Sequence, residues 1–148
     1  MRSLRRFLLL TLFLSAVALP GGFLLAESKH ATKEEAQAMA TKAADFLQKE
    51  GPDKAFAAFN GGGDWREGDL YVFVIDKTGT WRANGAWPEV IGTKADLVAP
   101  VIKGMLAIDK SGWIDYKFKS PADSQEHDKS SYLVRVGDFV VGVGAYQY

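Results

Sequence analysis

The run from Lys129 to Tyr146, KSSYLVRVGDFVVGVGAY, leaves this chain few folding choices. Ser130 to Val136 and Phe139 to Tyr146 are rich in β-branched and aromatic residues, which favour strands. Gly137-Asp138 between them is a two-residue turn, and glycine at its first position suits a type II′ hairpin. Strand side chains alternate. Val140, Gly142, Gly144 and Tyr146 therefore share one face, and Val141, Val143 and Ala145 the other. Two glycines on one face predict a shallow trough, which either a ligand or a closely packed neighbour can occupy.

The upstream sequence supplies partners for that hairpin. Thr32-Lys-Glu-Glu35 has the spacing of a capping box. Ala36, Met39, Ala40, Ala43, Ala44 and Leu47 follow at helical intervals, predicting an amphipathic helix over 32–50 that ends near Gly51. Pro52 can open a second short helix with Phe56 and Phe59 facing inward, and Asn60 to Asp64 reads as a flexible loop. Leu70 to Ile75 is apolar on both faces, as a covered central strand would be. Asp76 to Gly79 turns the chain into a partner strand from Thr80 to Ala83. Asn84 to Ala99 is loop-like, Pro100 opens a helix reaching about Asp109, and Gly112 to Phe118 is a further strand. Ser120 to Lys129 reads as a polar connection. Helices followed by antiparallel strands predict one α+β domain.

The first residues have the layout of an export signal. Met1-Arg-Ser-Leu-Arg-Arg6 is basic, Phe7 to Leu19 is apolar, Pro20-Gly-Gly22 interrupts, and Ala26 is a small residue before a cleavage point. The expectation is a signal peptide over 1–26 and a single domain over 27–148; uncleaved, the same segment is long enough to anchor the chain in a membrane. Cleavage removes Arg2, Arg5 and Arg6 from 18 basic residues, leaving 15 against 18 acidic ones. That balance gives no footprint for nucleic acid. There is no cysteine, so zinc, iron–sulfur and thiol chemistry lose their usual ligands. His127 lies near Asp123, Glu126 and Asp128, but alternating charge in a connection is ordinarily solvated. No nucleophile has an evident base and no glycine loop precedes a helix in a phosphate-binding pattern, so neither an enzyme nor a cofactor or metal site is expected.

Gly68-Asp-Leu-Tyr-Val-Phe-Val-Ile-Asp-Lys-Thr-Gly79, Ile91-Gly92, Gly112-Trp-Ile-Asp-Tyr116, Lys129-Ser-Ser-Tyr132 and Val140-Val-Gly-Val-Gly-Ala-Tyr146 together resemble a single Cache domain of the second type, an extracytoplasmic PAS-like sensor module. The resemblance runs from about Thr32 to Tyr146. Trp87 stands where such domains often have a small residue or histidine before proline. The resemblance implies a five-stranded antiparallel sheet with a long N-terminal helix and short flanking helices. It also implies a pocket on one sheet face for a small metabolite, often a short carboxylic acid. With no second hydrophobic span or output domain in the sequence, the expectation is a free-standing or N-terminally tethered periplasmic or secreted sensor, with a membrane-bound signalling partner. The alternative is a protein-interaction module whose pocket is filled by its own side chains.

A small carboxylate needs charge-assisted donors in an apolar concavity. The expected site lies between the sheet and the Asn84–Pro100 segment. Tyr116, Lys129, Ser131, Tyr132, Tyr146 and Asn84 would supply polar contacts, Tyr71, Phe73 and Trp113 the wall, and Gly144 the floor. Ser131 and Tyr132 alternate, so only one can face the ligand. Tyr132 is the favoured one because Tyr116 can pair with it across the ladder. Arg135 is expected to be solvated.

Overall fold

The computed structural model describes residues 30–148. The expected signal segment lies outside the described residues.

Helix α1 (Lys33–Glu50) starts as its capping box requires. The Glu35 amide donates to the Thr32 hydroxyl at 3.2 Å, and the Thr32 amide to the Glu35 carboxylate at 2.8 Å. Its inward stripe is Ala36, Ala40, Ala43, Ala44 and Leu47, small enough to bring the helix backbone close to the sheet. Helix α2 (Pro52–Gly61) buries Ala55 and Phe59. It runs one residue into the glycine triplet, and Gly63–Trp65 forms a 3-10 turn rather than open loop, because Trp65 is buried against Phe46 and Phe59.

Strands β1 (Arg66–Glu67) and β2 (Leu70–Tyr71) form a small ribbon. The main sheet holds β3 (Phe73–Asp76), β4 (Trp81–Asn84), β5 (Ser111–Lys119), β6 (Glu126–Val136) and β7 (Phe139–Gln147). The order is β4-β3-β7-β6-β5, antiparallel throughout. β7 is therefore the middle strand and β3 lies inside the sheet, as their two-faced apolar content demands. The anticipated strand over 70–75 is interrupted at Val72, whose amide donates to the Trp65 carbonyl. The closing hairpin pairs Val136 with Phe139, and Gly137 takes φ 58, the left-handed value that the first turn position needs. Between β4 and β5 lie a 3-10 turn (Pro88–Val90) and helix α3 (Ala99–Leu106).

Two predicted details change. Glu126 to Lys129 belong to β6, not to a polar connection, because they pair with β5 from Lys119 to Tyr116. Arg135 is not free in solvent: it donates to the carbonyls of Ile108 and Leu106 at 2.6 Å each, satisfying the end of α3.

The sheet separates two cores. On the α1 side lie Val72, Val74, Val141, Val143 and Ala145 with the helical alanines, Leu47 and Phe59. On the other side lie Tyr71, Phe73, Ile75, Trp81, Met105, Leu133, Val140 and Tyr146, covered by the segment from Ala86 to Ile108.

Candidate functional site

The second core is richer than the first in buried polar side chains. β6 alternation turns Lys129, Ser131 and Leu133 toward it, and all three are buried. Lys129 pairs with Tyr116 on β5 and with Tyr146 on β7, so the two rings flank it in register. Tyr71 arrives from β2.

Lys129 is 1% exposed. Its ammonium donates to the Tyr71 hydroxyl at 2.9 Å. Five rings surround it: Tyr71 at 4.3 Å from the centroid, Tyr146 at 4.8 Å, Phe73 and Phe118 at 5.2 Å, and Tyr116 at 5.9 Å. Cation–π attraction offsets part of its lost hydration. Among the described residues it forms no ion pair. Burial pulls its pKa down to about 7, with only the Asp69 carboxylate acting to raise it.

The hydroxyls form a chain. Tyr71 and Tyr146 are 3.1 Å apart, and Tyr146 donates to the Lys119 carbonyl at 2.8 Å. Tyr116 and the Ser131 hydroxyl are 3.0 Å apart. Burial raises the pKa of Tyr71, Tyr116 and Tyr146, so these phenols stay protonated and available as donors.

Asn84 ends β4 with its side chain buried. Its carbonyl oxygen accepts from the amides of Ala86 and Trp87 at 3.1 and 2.9 Å, leaving its amide nitrogen Nδ2 buried without a partner. The Trp87 indole nitrogen is also a buried donor without a hydrogen bond of normal geometry, although it lies close enough to Tyr71 to oppose the rise in that phenol's pKa. Orphaned buried donors are costly unless something else accepts from them. The residues Asn84 and Trp87 line a cavity of about 250 Å³ with Trp81, Val90, Phe118 and Lys119, where Glu89 and Asp96 bring acidic groups. Phe118 is shared between this cavity and the ring cage around Lys129.

Tyr71, Phe73, Asn84, Tyr116, Lys129, Ser131 and Tyr146 are thus brought to one side of the sheet. Gly144 lies beneath them, but its trough is not empty. A Cβ there would lie 2.3 Å from the Ser131 hydroxyl and 2.4 Å from Lys129 Cε, and one on Gly142 would lie 2.2 Å from Phe73. The glycines make room for the chain's own side chains.

Trp113 and Tyr132 do not join the site. They pair with each other, not with Tyr116, and face α1. Their rings lie 5.1 Å apart, the Lys33 ammonium sits over Trp113, and Tyr132 donates to Ser111. Strand alternation had to send one of Ser131 and Tyr132 away, and it sent the tyrosine. Phe118, Lys119 and Asp69 are the additions, beside Trp81 and Trp87 as cavity wall. Phe118 could have been found from its two-residue offset to Tyr116 on one strand. Asp69 has no comparable local signal.

A second, more open concavity of about 360 Å³ beside the start of α1 is lined by Lys33, Asp115, Tyr116, Lys117, Asp128, Lys129, Ser130 and Gln147. Its charges satisfy one another: Lys117 pairs with Asp128 at 2.8 Å, and Asp115 takes Lys33 at 4.0 Å and the Ser130 hydroxyl.

Solved structures share this architecture. A methyl-accepting chemotaxis protein from Vibrio parahaemolyticus matches with a TM-score of 0.62 at 20% identity, over 77% of this chain and 87% of that one. A Cache chemosensory domain, described as a structural basis for carboxylic acid recognition, matches at 0.57 and 17% identity over 78% and 88%. The periplasmic sensor domain of a chemotaxis protein matches at 0.55 and 20% identity over 78% and 90%. No family model and no curated protein matches the sequence. The likeness establishes the Cache sensor fold.

Proposed function

We propose that this chain, folded as Cache sensor domains are, is an extracytoplasmic sensory domain that binds a short organic acid on the β3–β7–β6–β5 face of its sheet and passes occupancy to a signalling partner. One observation carries the reading: a buried lysine with no ion-pair partner among the described residues, on the same sheet face as an Asn84 amide nitrogen and a Trp87 indole nitrogen that lack hydrogen bonds of normal geometry. A carboxylate supplies the acceptor and counter-charge that such groups lack. The rings around Lys129 offer an apolar wall for the aliphatic remainder. That one matching sensor domain is described as recognising carboxylic acid adds support.

A ligand of about five heavy atoms gains at most about 1.5 kcal/mol per atom, which places the best affinity near micromolar. Export by the segment over 1–26 fits the basic and apolar layout of those residues. Among the described residues no helix is long and apolar enough to cross a membrane. The test is a thermal-shift screen of residues 27–148 against acetate, propionate, lactate and pyruvate, followed by calorimetry. Stabilisation by at least one acid, lost in Lys129→Met, is the expected result; no stabilisation by any of them overturns the reading.

The second reading is a partner-docking domain with a self-filled pocket. Its favouring observation is the space over Gly142 and Gly144, which Phe73, Leu133, Ser131 and Lys129 occupy. It gains if no acid stabilises the domain.

A further inference from the structure

The two edges of the main sheet are finished differently. Along β4 the chain closes its own edge: the Trp81 amide donates to the Thr93 carbonyl at 2.9 Å, the Gly92 amide to the Trp81 carbonyl at 2.8 Å, and Thr80 bridges to Lys94. The opposite edge, β5, runs for 9 residues without proline or bulge. Two bonds fix its parity, from the Arg135 amide to the Lys110 carbonyl and from the Ser120 amide to the Gln125 carbonyl. Even-numbered residues therefore bond to β6, and the main-chain groups of Ser111, Trp113, Asp115 and Lys117 point outward. Among the described residues nothing pairs with these groups. A bare edge of this length is a template for another strand. We propose that β5 docks antiparallel on β5 of a second copy of this chain, with the two-fold axis at Tyr116, so that two sheets become one. The inference goes beyond the sensory reading and does not depend on the ligand.

Charge selects the register. Outward-pointing residues must meet one another across the new ladder, which puts the axis on a residue rather than between two. With the axis at Tyr116, Asp115 of each copy lies opposite Lys117 of the other, and Ile114 opposite Phe118. Moving the axis one residue either way sets Asp115 against Asp115 or Lys117 against Lys117. Asp115 and Lys117 are 76% and 64% exposed, so they can share their present partners, Lys33 and Asp128, with a second copy. Lysines on a bare edge guard it against chance pairing, and here they leave one register open. At the far end the Lys119 carbonyl is taken by Tyr146, so the ladder centres on Asp115 and Lys117. Beside the edge runs an apolar groove of about 600 Å³ between α3 and β5, lined by Leu97, Val98, Val101, Tyr116 and Phe118. Val98 there is 70% exposed. Ile114 and Phe118 of the second copy would lie along this groove, because antiparallel pairing keeps even-numbered side chains on one face. Tyr116 and Phe118 also belong to the rings around Lys129, so the docking strand is the one that walls the proposed ligand face.

The chain has no cysteine, so introduced thiols report the register cleanly. Full chains carrying Asp115→Cys and Lys117→Cys are mixed and oxidised, and disulfides are mapped on non-reducing gels and by peptide mass spectrometry. Residues opposed in a hydrogen-bonded pair have Cα atoms about 5.5 Å apart, within disulfide reach. The expected result is a crosslink joining one variant to the other, formed several times faster than either variant crosslinks to itself. In sedimentation the parent shifts from monomer toward dimer as its concentration rises, while Lys117→Pro stays monomeric. The Lys117 amide points outward, so proline there removes no bond within the sheet. Self-crosslinking of Asp115→Cys as fast as the mixture overturns the register and the proposal with it. A parent that stays monomeric at every concentration, or a Lys117→Pro variant that dimerises as the parent does, overturns the docking and leaves the edge to another strand. The crosslink decides the register whether or not the proline variant folds. None of these outcomes bears on the acid screen above, so the two readings fail separately.

Discussion

The two faces of one sheet have been filled by opposite rules. Toward α1 the sheet presents valine and alanine to a stripe of alanines, with Ser130 as a buried polar neighbour. Such a face tolerates little change and has few polar groups to offer. The opposite face buries a lysine, a serine, an asparagine and two tyrosines among its apolar residues, half-buries Tyr116, and leaves two N–H donors without hydrogen bonds of normal geometry. It trades stability for groups a ligand can use. Even the central strand differs across its thickness: Val141, Val143 and Ala145 fill one side, while Gly142 and Gly144 yield the other to Phe73 and Lys129. Unmatched polar groups on a rigid sheet backed by a close-packed helix are what a binding surface requires.

The largest expected effect comes from breaking the packed face. Phe59→Ala removes a fully buried ring set against Phe46 and Trp65. It should cost about 3–5 kcal/mol in denaturant unfolding. Acid binding by the protein that remains folded should be unchanged; a large loss of affinity would show the faces to be coupled.

Gly144→Val tests the ligand face through its backbone. The new Cβ collides with Ser131 and Lys129, so the lysine must leave its cage. A destabilisation of about 1–3 kcal/mol is expected, together with loss of acid binding by calorimetry. Parental affinity in a folded Gly144→Val variant would place the site elsewhere.

Lys129→Met probes the same face by charge. The lysine pKa in the folded domain, about 7, lies below its ordinary 10.5. Between those values the unfolded chain holds a proton that the folded one does not, so this group makes stability rise with pH. Below about 7 both states are charged and its burial cost is complete. The melting temperature of the ligand-free parent should therefore climb from pH 7 to about 9, before tyrosines titrate in the unfolded chain, with a slope that Lys129→Met reduces. Simple carboxylates prefer the ammonium, so their affinity should fall by up to about tenfold per pH unit above 7. Equal slopes in parent and variant would show that the amine does not titrate in this window.

The smallest effect is expected at Tyr132→Phe. The hydroxyl touches Ser111 on the α1 side and is removed from Lys129 by strand alternation. A cost of about 0.5–1.5 kcal/mol or less is expected, with acid affinity unchanged in calorimetry. A tenfold loss of affinity would contradict the division between the faces.

Much of this arrangement was legible before any coordinates. The capping box at Thr32, the alanine stripe, the Gly137 turn and the alternating faces of β7 each follow from local rules acting over a few residues. Tyr71, Phe73, Tyr116 and Tyr146 were grouped through the resemblance to Cache domains and the needs of a carboxylate, with two-residue periodicity linking Tyr71 to Phe73. Lys129 was placed among the binding residues but at the end of a polar connection, since Glu126-His-Asp-Lys129 has no strand-like composition. Its pairing with β5 overrode that local preference. Tyr132 and Trp113 failed for a related reason: alternation says that neighbours part company, but not which of them meets a given partner.

The sequence alone determined the elements, their antiparallel association and which residues share a face, because these depend on periodicities of two and 3.6 residues and on turn chemistry. Only the tertiary structure decided which face would be sealed by α1 and which left to polar groups. It also decided that Lys129 would be buried among five rings without an anion, that Asn84 and Trp87 would keep unmatched donors, and that Arg135 would close α3. These outcomes depend on strand register and on contacts between residues far apart in the chain, where burial converts an ordinary lysine into a titrating one.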